Sequence, residues 1–387
     1  VRREIKMKNN RSIFEDVDTN KKQFLTGGVI DQGRGGARYS ICIWLLMLFF
    51  LVIIMIVVGG LTRLTDSGLS ITEWRPITGA IPPMSTADWE AEFAKYRNID
   101  EFQLQNRWMD LSDFQVIYWW EWGHRQLGRV IGLVWAIGFF WFLLRGKIPT
   151  GWTSKLLLLG VLGGAQGAIG WWMVSSGITS GKGMLDVASY RLALHLGLAF
   201  LILGFIFWFI LLLRRSERDL MQARREKDAK LFGLSTGLLY FTFLQVLIGA
   251  LVAGIDAGRN YTDWPLMAGG FLPPDMFSLS PWWRNFFEDD GLVQFIHRMS
   301  AYLLFAFAIV VALRAKASAH KVTRAAFGTV GLVLTVQMIL GVVTVMHSSP
   351  WNLAILHQFT AVLLWLAVLR GRFLAGYPIA TSVRGTS

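Results

Sequence analysis

The sequence predicts an all-α integral membrane protein with eight transmembrane helices, built as two pseudo-symmetric four-helix bundles. Three observations lead there. Apolar runs of membrane-spanning length recur along the chain, the segments between them alternate between basic and acid-containing, and the two halves of the chain repeat each other.

An apolar stretch of about 20 residues is long enough to cross the hydrocarbon core as a helix. In this 387-residue chain, 53% hydrophobic, such stretches fall near residues 39–60, 117–144, 153–174, 190–213, 230–254, 292–313, 323–346 and 352–370. Eight of them leave little chain for a separate soluble domain. The segment up to Asn20 is polar and has no signal-peptide pattern. The first span is too long for a signal sequence and has no small-residue cleavage motif, so it is expected to be a retained helix. The single cysteine, Cys42, lies in that span, which excludes an intrachain disulfide and any cysteine-based metal cluster. The eighteen tryptophans suit interfacial belts or ligand pockets.

The net charge of +12 could point to nucleic acid, but its distribution reads as topology. Basic residues gather in the N-terminal tail and in Arg145–Lys147, Arg214–Lys230, Arg314–Arg324 and Arg370–Arg372, which are alternate connections and both ends of the chain. The opposite connections hold Asp66, Glu73, Asp88, Glu90, Glu92, Asp256, Asp263, Glu288, Asp289 and Asp290. The positive-inside rule then places both termini on the cytoplasmic or matrix side. A bacterial cytoplasmic membrane fits the short, acid-containing N-terminus better than a mitochondrial inner membrane.

The repeat joins the end of the first span to the end of the fifth. GGLTRLTDSGLSITEW (Gly59 to Trp74) aligns with GALVAGIDAGRNYTDW (Gly249 to Trp264) at an offset of 190, and Pro82-Pro83 and Pro273-Pro274 follow. His124-Arg125 aligns with His297-Arg298, Gln166 through Gly170 with Gln337 through Gly341, and Leu194-His195 with Leu356-His357. The offsets shrink to 173, 171 and 162, so the second half has shorter connections. The expected organisation is an inner-side tail (1–38), a first four-helix half (39–213), an inner basic linker (214–230), a second half (231–370) and an inner-side tail (371–387). Because each half has an even number of spans, the halves share one orientation about an axis along the membrane normal.

Of the six histidines, His320 falls in a basic connection and is read as solvated. His347 falls at the end of the seventh span, opposite Ser176 in the repeat, and is read as a surface or interface residue. His124, His195, His297 and His357 each lie within about two turns of the outer end of an even-numbered span. Polar groups at membrane depth are costly and usually functional. Two imidazoles from separate helices are a common way to hold a haem iron from both sides, whereas zinc or copper normally requires more ligands. Arg125, Arg129 and Arg298 stand where they could pair with haem propionates or simply snorkel to the interface. Gly160, Gly163, Gly164, Gly167 and Gly170 could admit a flat macrocycle or serve close helix packing.

The repeat breaks at one chemically telling place. Glu121 lies one turn before His124, and Gln294 takes its place before His297. A carboxylate beside one site and a neutral amide beside the other imply divided labour: proton-coupled chemistry in the first half, a permanently held redox haem in the second. Pairing of Glu121 with a nearby arginine is the alternative. The GITSGKG stretch (Gly177 to Gly183) is one residue short of a P-loop and lacks its Ser/Thr, so nothing supports an ATP-driven pump.

The EWGHRQLGRVIG stretch, the GGLTRLTDSGLSITEWRPITGAIPP loop and the four repeated histidines closely resemble the haem A synthase family, in its longer mitochondrial and Gram-negative form, from about residue 40 to 370. The resemblance implies an oxidoreductase that converts a ring methyl of haem O to a formyl group by successive hydroxylations, giving haem A for cytochrome oxidase. It implies that His297 and His357 hold a haem b cofactor (iron protoporphyrin IX), that His124 and His195 line the substrate site, and that Glu121 is functionally important. Partners by family analogy are a haem O synthase, oxidase assembly factors, an electron acceptor of unknown identity and further copies of the chain. Some members carry a cysteine pair in an outer loop. None is present here, which excludes a thiol relay. The long first outer loop, Leu61 to Gln115, is expected to act as a lid or partner surface. Two other readings of the residues are a dihaem electron-transfer protein and a haem carrier without turnover. Four ligands near one membrane face argue against the first, and Glu121 has no role in the second.

Overall fold

A computed structural model describes residues 35–178, 185–274 and 276–379. Twelve α-helices run through these residues and no strand forms among them. Eight helices are long and apolar enough to cross a membrane: α1 (Gly35–Leu64), α4 (Leu111–Leu144), α5 (Thr153–Gly177), α6 (Ser189–Leu213), α8 (Ala229–Gly254), α10 (Asp290–Lys316), α11 (Lys321–Met346) and α12 (Trp351–Gly376). The remaining four are short: α2 (Thr86–Tyr96), α3 (Asp100–Leu104), α7 (Glu217–Arg225) and α9 (Asn285–Glu288). This is a multi-pass membrane protein. The expected terminal tails lie largely outside the described residues, as does most of the GITSGKG stretch.

α1, α4, α5 and α6 pack around one another, as do α8, α10, α11 and α12. The two groups meet where α1 and α6 face α8 and α12. Apolar side chains fill these contacts, with Leu45, Leu48, Leu156, Leu203 and Val362 fully or almost fully buried in one cluster and Leu231, Leu304 and Val311 in another. Lipid tails are as apolar as these residues, so close fit and hydrogen bonding must hold the helices together. Buried Trp44 and Trp365 and half-buried Trp135 supply both. Trp44 of α1 donates to Val134 O of α4 (3.0 Å), Trp135 of α4 to Leu156 O of α5 (3.0 Å), and Trp365 of α12 to Phe200 O of α6 (2.9 Å). Each uses the second lone pair of a helical carbonyl.

Several boundaries differ from the sequence expectation, for identifiable reasons. α4 starts at Leu111, because Asp110 and Asp113 form a reciprocal capping box ahead of the apolar stretch. His124 therefore sits about three and a half turns into its helix, deeper than expected. α12 runs on to Gly376, because Arg372 stacks over Trp208 and Phe232 and donates to Thr236 Oγ1 (3.1 Å), so its charge does not end the helix. The basic linker contains the amphipathic helix α7, capped by Ser216 (3.1 Å to Asp219 N).

Glycines set how closely the helices approach. A Cβ on Gly138 would lie 2.1 Å from Trp44 Nε1, and one on Gly160 would lie 2.0 Å from the Trp135 ring. Gly163, Gly164 and Gly167 have open space around them. Gly138→Ala is therefore expected to push Trp44 off Val134 O. We expect a loss of roughly 1–3 kcal/mol, read as a lower unfolding temperature in detergent, while Gly163→Ala leaves that temperature unchanged.

Candidate functional site

The four repeated histidines meet glycines on neighbouring helices. A Cβ would lie 3.1 Å from His124 if built on Gly59 of α1, and 2.8 Å from His195 if built on Gly170 of α5. The matching distances are 3.1 Å for His297 and Gly249 of α8, and 3.0 Å for His357 and Gly341 of α11. Each imidazole thus lies against bare backbone. His124 and His195 are electrostatic neighbours, and so are His297 and His357, each pair drawn from two different helices. No group of three or more His, Cys, Asp or Glu side chains suited to a metal ion occurs among the described residues.

Glutamines contact three of the four rings. Gln166 Nε2 lies 3.2 Å from His195 Nδ1, Gln245 Nε2 lies 3.1 Å from His297 Nδ1, and Gln337 Nε2 lies 3.2 Å from His357 Nε2. His357 Nδ1, Gln166 Oε1 and Gln337 Oε1 are buried without a protein partner. Unpaired polar atoms inside a membrane bundle are costly. Paired imidazoles, glycine cradles and these orphaned atoms fit a haem with two axial histidines.

Beside each pair, an arginine fastens a loop to the helix one residue after the histidine. Arg125 donates to Ile71 O (2.8 Å) and Glu73 O (3.1 Å), and Arg298 donates to Tyr261 O (2.8 Å) and Asp263 O (3.0 Å). These carbonyls are equivalent at the repeat's offset of 190. Arg129 continues the seam in the first half, donating to Pro76 O (2.9 Å) and Arg75 O (3.0 Å). All three guanidinium groups thus hold backbone at the loop-rich end of the bundle.

Glu121 is 2% exposed. Its Oε1 accepts from Arg125 Nε (3.0 Å) and Nη2 (2.5 Å), and its Oε2 accepts from Ser70 Oγ (2.8 Å) and Ile71 N (2.7 Å). Gln294 has the same architectural place without the charge: its Oε1 accepts from Arg298 Nη2 (2.8 Å) and its Nε2 donates to Ala257 O (2.7 Å). The carboxylate and the arginine are therefore one unit.

Of the other histidines, His320 caps α11 with Nε2 3.8 Å from Glu226, and His347 is exposed with Nδ1 2.8 Å from Val343 O. Arg63 stands out among residues that sequence reasoning passed over. It reaches Asp66 (3.1 Å), Asp186 (3.4 Å) and Asp256 (3.1 Å), tying the end of α1 to the loop after α8. The available signal was that Ala253 replaces it in the repeat.

The first long loop is folded onto α4. Phe93, Tyr96, Phe102 and Phe114 bury one another, with Phe93 and Phe114 stacked at 4.9 Å. Glu101 is enclosed beside them. Burial, reinforced by Asp66 and Asp186, pushes its carboxyl up to about 9. A carboxyl raised this far binds its proton more tightly folded than unfolded. Its contribution is complete below about pH 4.5 and fades as pH rises toward 9. Glu101→Gln is expected to flatten the fall in unfolding temperature between pH 5 and 9. An unchanged slope in a thermal-shift series would rule Glu101 out as its source.

The fold and site define a polytopic membrane protein with half-buried histidine pairs at its loop-rich end. The chain belongs to the COX15-CtaA family of cytochrome oxidase assembly proteins, whose family model matches residues 42–369. It is 66% identical to a haem A synthase of Ruegeria pomeroyi, over 98% of this chain and 100% of that protein. It is also 65% identical to one of Ruegeria sp. (97% and 99%) and 58% identical to one of Paracoccus denitrificans (97% and 99%).

Proposed function

We propose that this chain is an oxidoreductase acting on haem O, converting a ring methyl to the formyl group of haem A, and that its two histidine pairs divide the work. Full-length similarity to haem A synthases supports the reaction. The division of labour rests on one observation: beside equivalent arginines, Glu121 presents a carboxyl group where Gln294 presents a neutral amide. His124 and His195 hold the substrate haem, whose isoprenoid tail stays among apolar side chains. His297 and His357 hold a haem b, which supplies a redox centre when bound.

Oxidising a methyl group with water as the oxygen source releases protons as well as electrons. Glu121, one turn from His124, takes up a proton or positions the water. Protonation requires one of its four donors to let go. Ser70 Oγ can do so cheaply, because Ser67 O (3.1 Å) and Ile117 O (3.3 Å) are within its reach. Arg125 keeps the carboxylate oriented, and with Arg129 and Arg298 it presents a basic seam to the haem propionates.

In the same reading, residues 39–213 and 231–370 form two halves related by an axis along the membrane normal. Both termini face the cytoplasm of a bacterium, and haem O synthase and oxidase assembly factors dock nearby.

The test uses cells that make haem O but lack their own haem A synthase. With this protein present, haem extraction and mass-detected chromatography should show haem A or its hydroxymethyl precursor. Persistence of haems B and O alone, in folded and haem-loaded protein, would favour an electron-transfer or carrier role. Glu121→Gln copies the residue already used at Gln294, so it should fold, yet lower turnover roughly 100-fold or more. Full activity in that variant would refute the carboxylate's role.

A further inference from the structure

The four histidines are not held alike. Gln245 contacts His297 Nδ1 (3.1 Å) and His297 O (2.9 Å), and its own Oε1 accepts from Ser300 Oγ (2.5 Å). Ser300 is tied in turn to His297 O (3.1 Å). At the equivalent first-half positions the repeat places Met55 and Leu127. Neither can hydrogen-bond an imidazole as an amide does, and the Met55 methyl packs toward Gly128, one turn beyond His124. Among the described residues no side chain or backbone group hydrogen-bonds the His124 ring, whereas Gln166 and Gln337 contact His195 and His357.

All four rings occupy the same position against their opposing glycine, and His124 differs only by a 180° flip that exchanges Nε2 with Cε1 and Nδ1 with Cδ2.

We infer that Met55 and Leu127 leave His124 as a rotatable, exchangeable ligand that lets haem O enter and product leave, whereas Gln245 and Ser300 are positioning residues that lock His297 for permanent haem retention. This inference rests on the assignment of the two pairs proposed above. A partner on the second imidazole nitrogen fixes ring orientation and tautomer. The Gln245 amide is itself fixed, with Nε2 donating to His297 O and Oε1 accepting from Ser300 Oγ, so its contact at Nδ1 holds the ring in place. An enzyme whose substrate is itself a haem needs opposite behaviour at its two sites, tight at one and releasable at the other. The two sequence positions facing the ligand ring supply that difference.

The experiment exchanges these residues and reads haem transfer from purified, detergent-solubilised protein to excess apomyoglobin, without any turnover. Gln245→Met with Ser300→Leu should speed loss of haem b roughly 10–100-fold and alter its low-spin electron paramagnetic resonance signal. Met55→Gln with Leu127→Ser should slow release of haem O from reconstituted protein by a similar factor. If a double variant does not accumulate, Gln245→Met or Met55→Gln alone carries the test. Unchanged transfer rates and spectra in both directions would overturn the inference. His297→Ala separates the two levels. If it loses haem b while the Gln245 variants match wild type, the pair assignment stands and the locking idea falls. If it keeps haem b with an unaltered spectrum, the assignment itself fails.

Discussion

Everything at the centre of this molecule depends on four places where a histidine ring lies against the bare backbone of the next helix. Gly59, Gly170, Gly249 and Gly341 make those approaches, and a methyl group at any of them would stand 2.8–3.1 Å from an imidazole. In water a polar side chain so crowded could turn outward to solvent. Inside a bilayer it cannot, so ring and glycine must be specified together. The tryptophan N–H donors that join α1 to α4, α4 to α5 and α6 to α12 then fix the helix spacing that makes those contacts possible.

The loop-rich end applies the same economy to backbone groups. Loops at a membrane boundary carry carbonyls that need donors, and Arg125 and Arg298 provide them at equivalent positions of the two halves. This couples loop position to the site, because each arginine directly follows a histidine and also binds Glu121 or Gln294. Replacing a carboxylate by an amide within an otherwise repeated clamp changes the local charge at little architectural cost. Arg63, reaching Asp66, Asp186 and Asp256, secures the two groups of helices to each other at this end.

Much of this was legible in the residues. The eight spans could be read because hydrocarbon imposes a length and polarity that few other environments require. The Glu121 and Gln294 contrast could be read because an internal repeat supplies its own control. Helix ends were harder to read: Asp110 and Asp113 extend α4 well past its apolar stretch through local capping, and Arg372 stays helical by stacking on aromatic rings from other helices. The folded loop around Phe93 and Phe114 was hidden because its aromatic residues are scattered in sequence and meet only when α2, α3 and the start of α4 converge.

By itself, the sequence determined the class of protein, the number of spans, the repeated histidines and the departure of Glu121 from Gln294 between the halves. These follow from composition and spacing, which are properties of the chain alone. Only the tertiary structure decided that Arg125 and Arg298 grip loop carbonyls, that Glu121 receives four donors, and that the His124 ring, unlike the other three, has no glutamine amide beside it. Hydrogen-bond partners depend on which atoms of distant segments come within about 3 Å. No pattern along one dimension encodes that distance until the helices have packed.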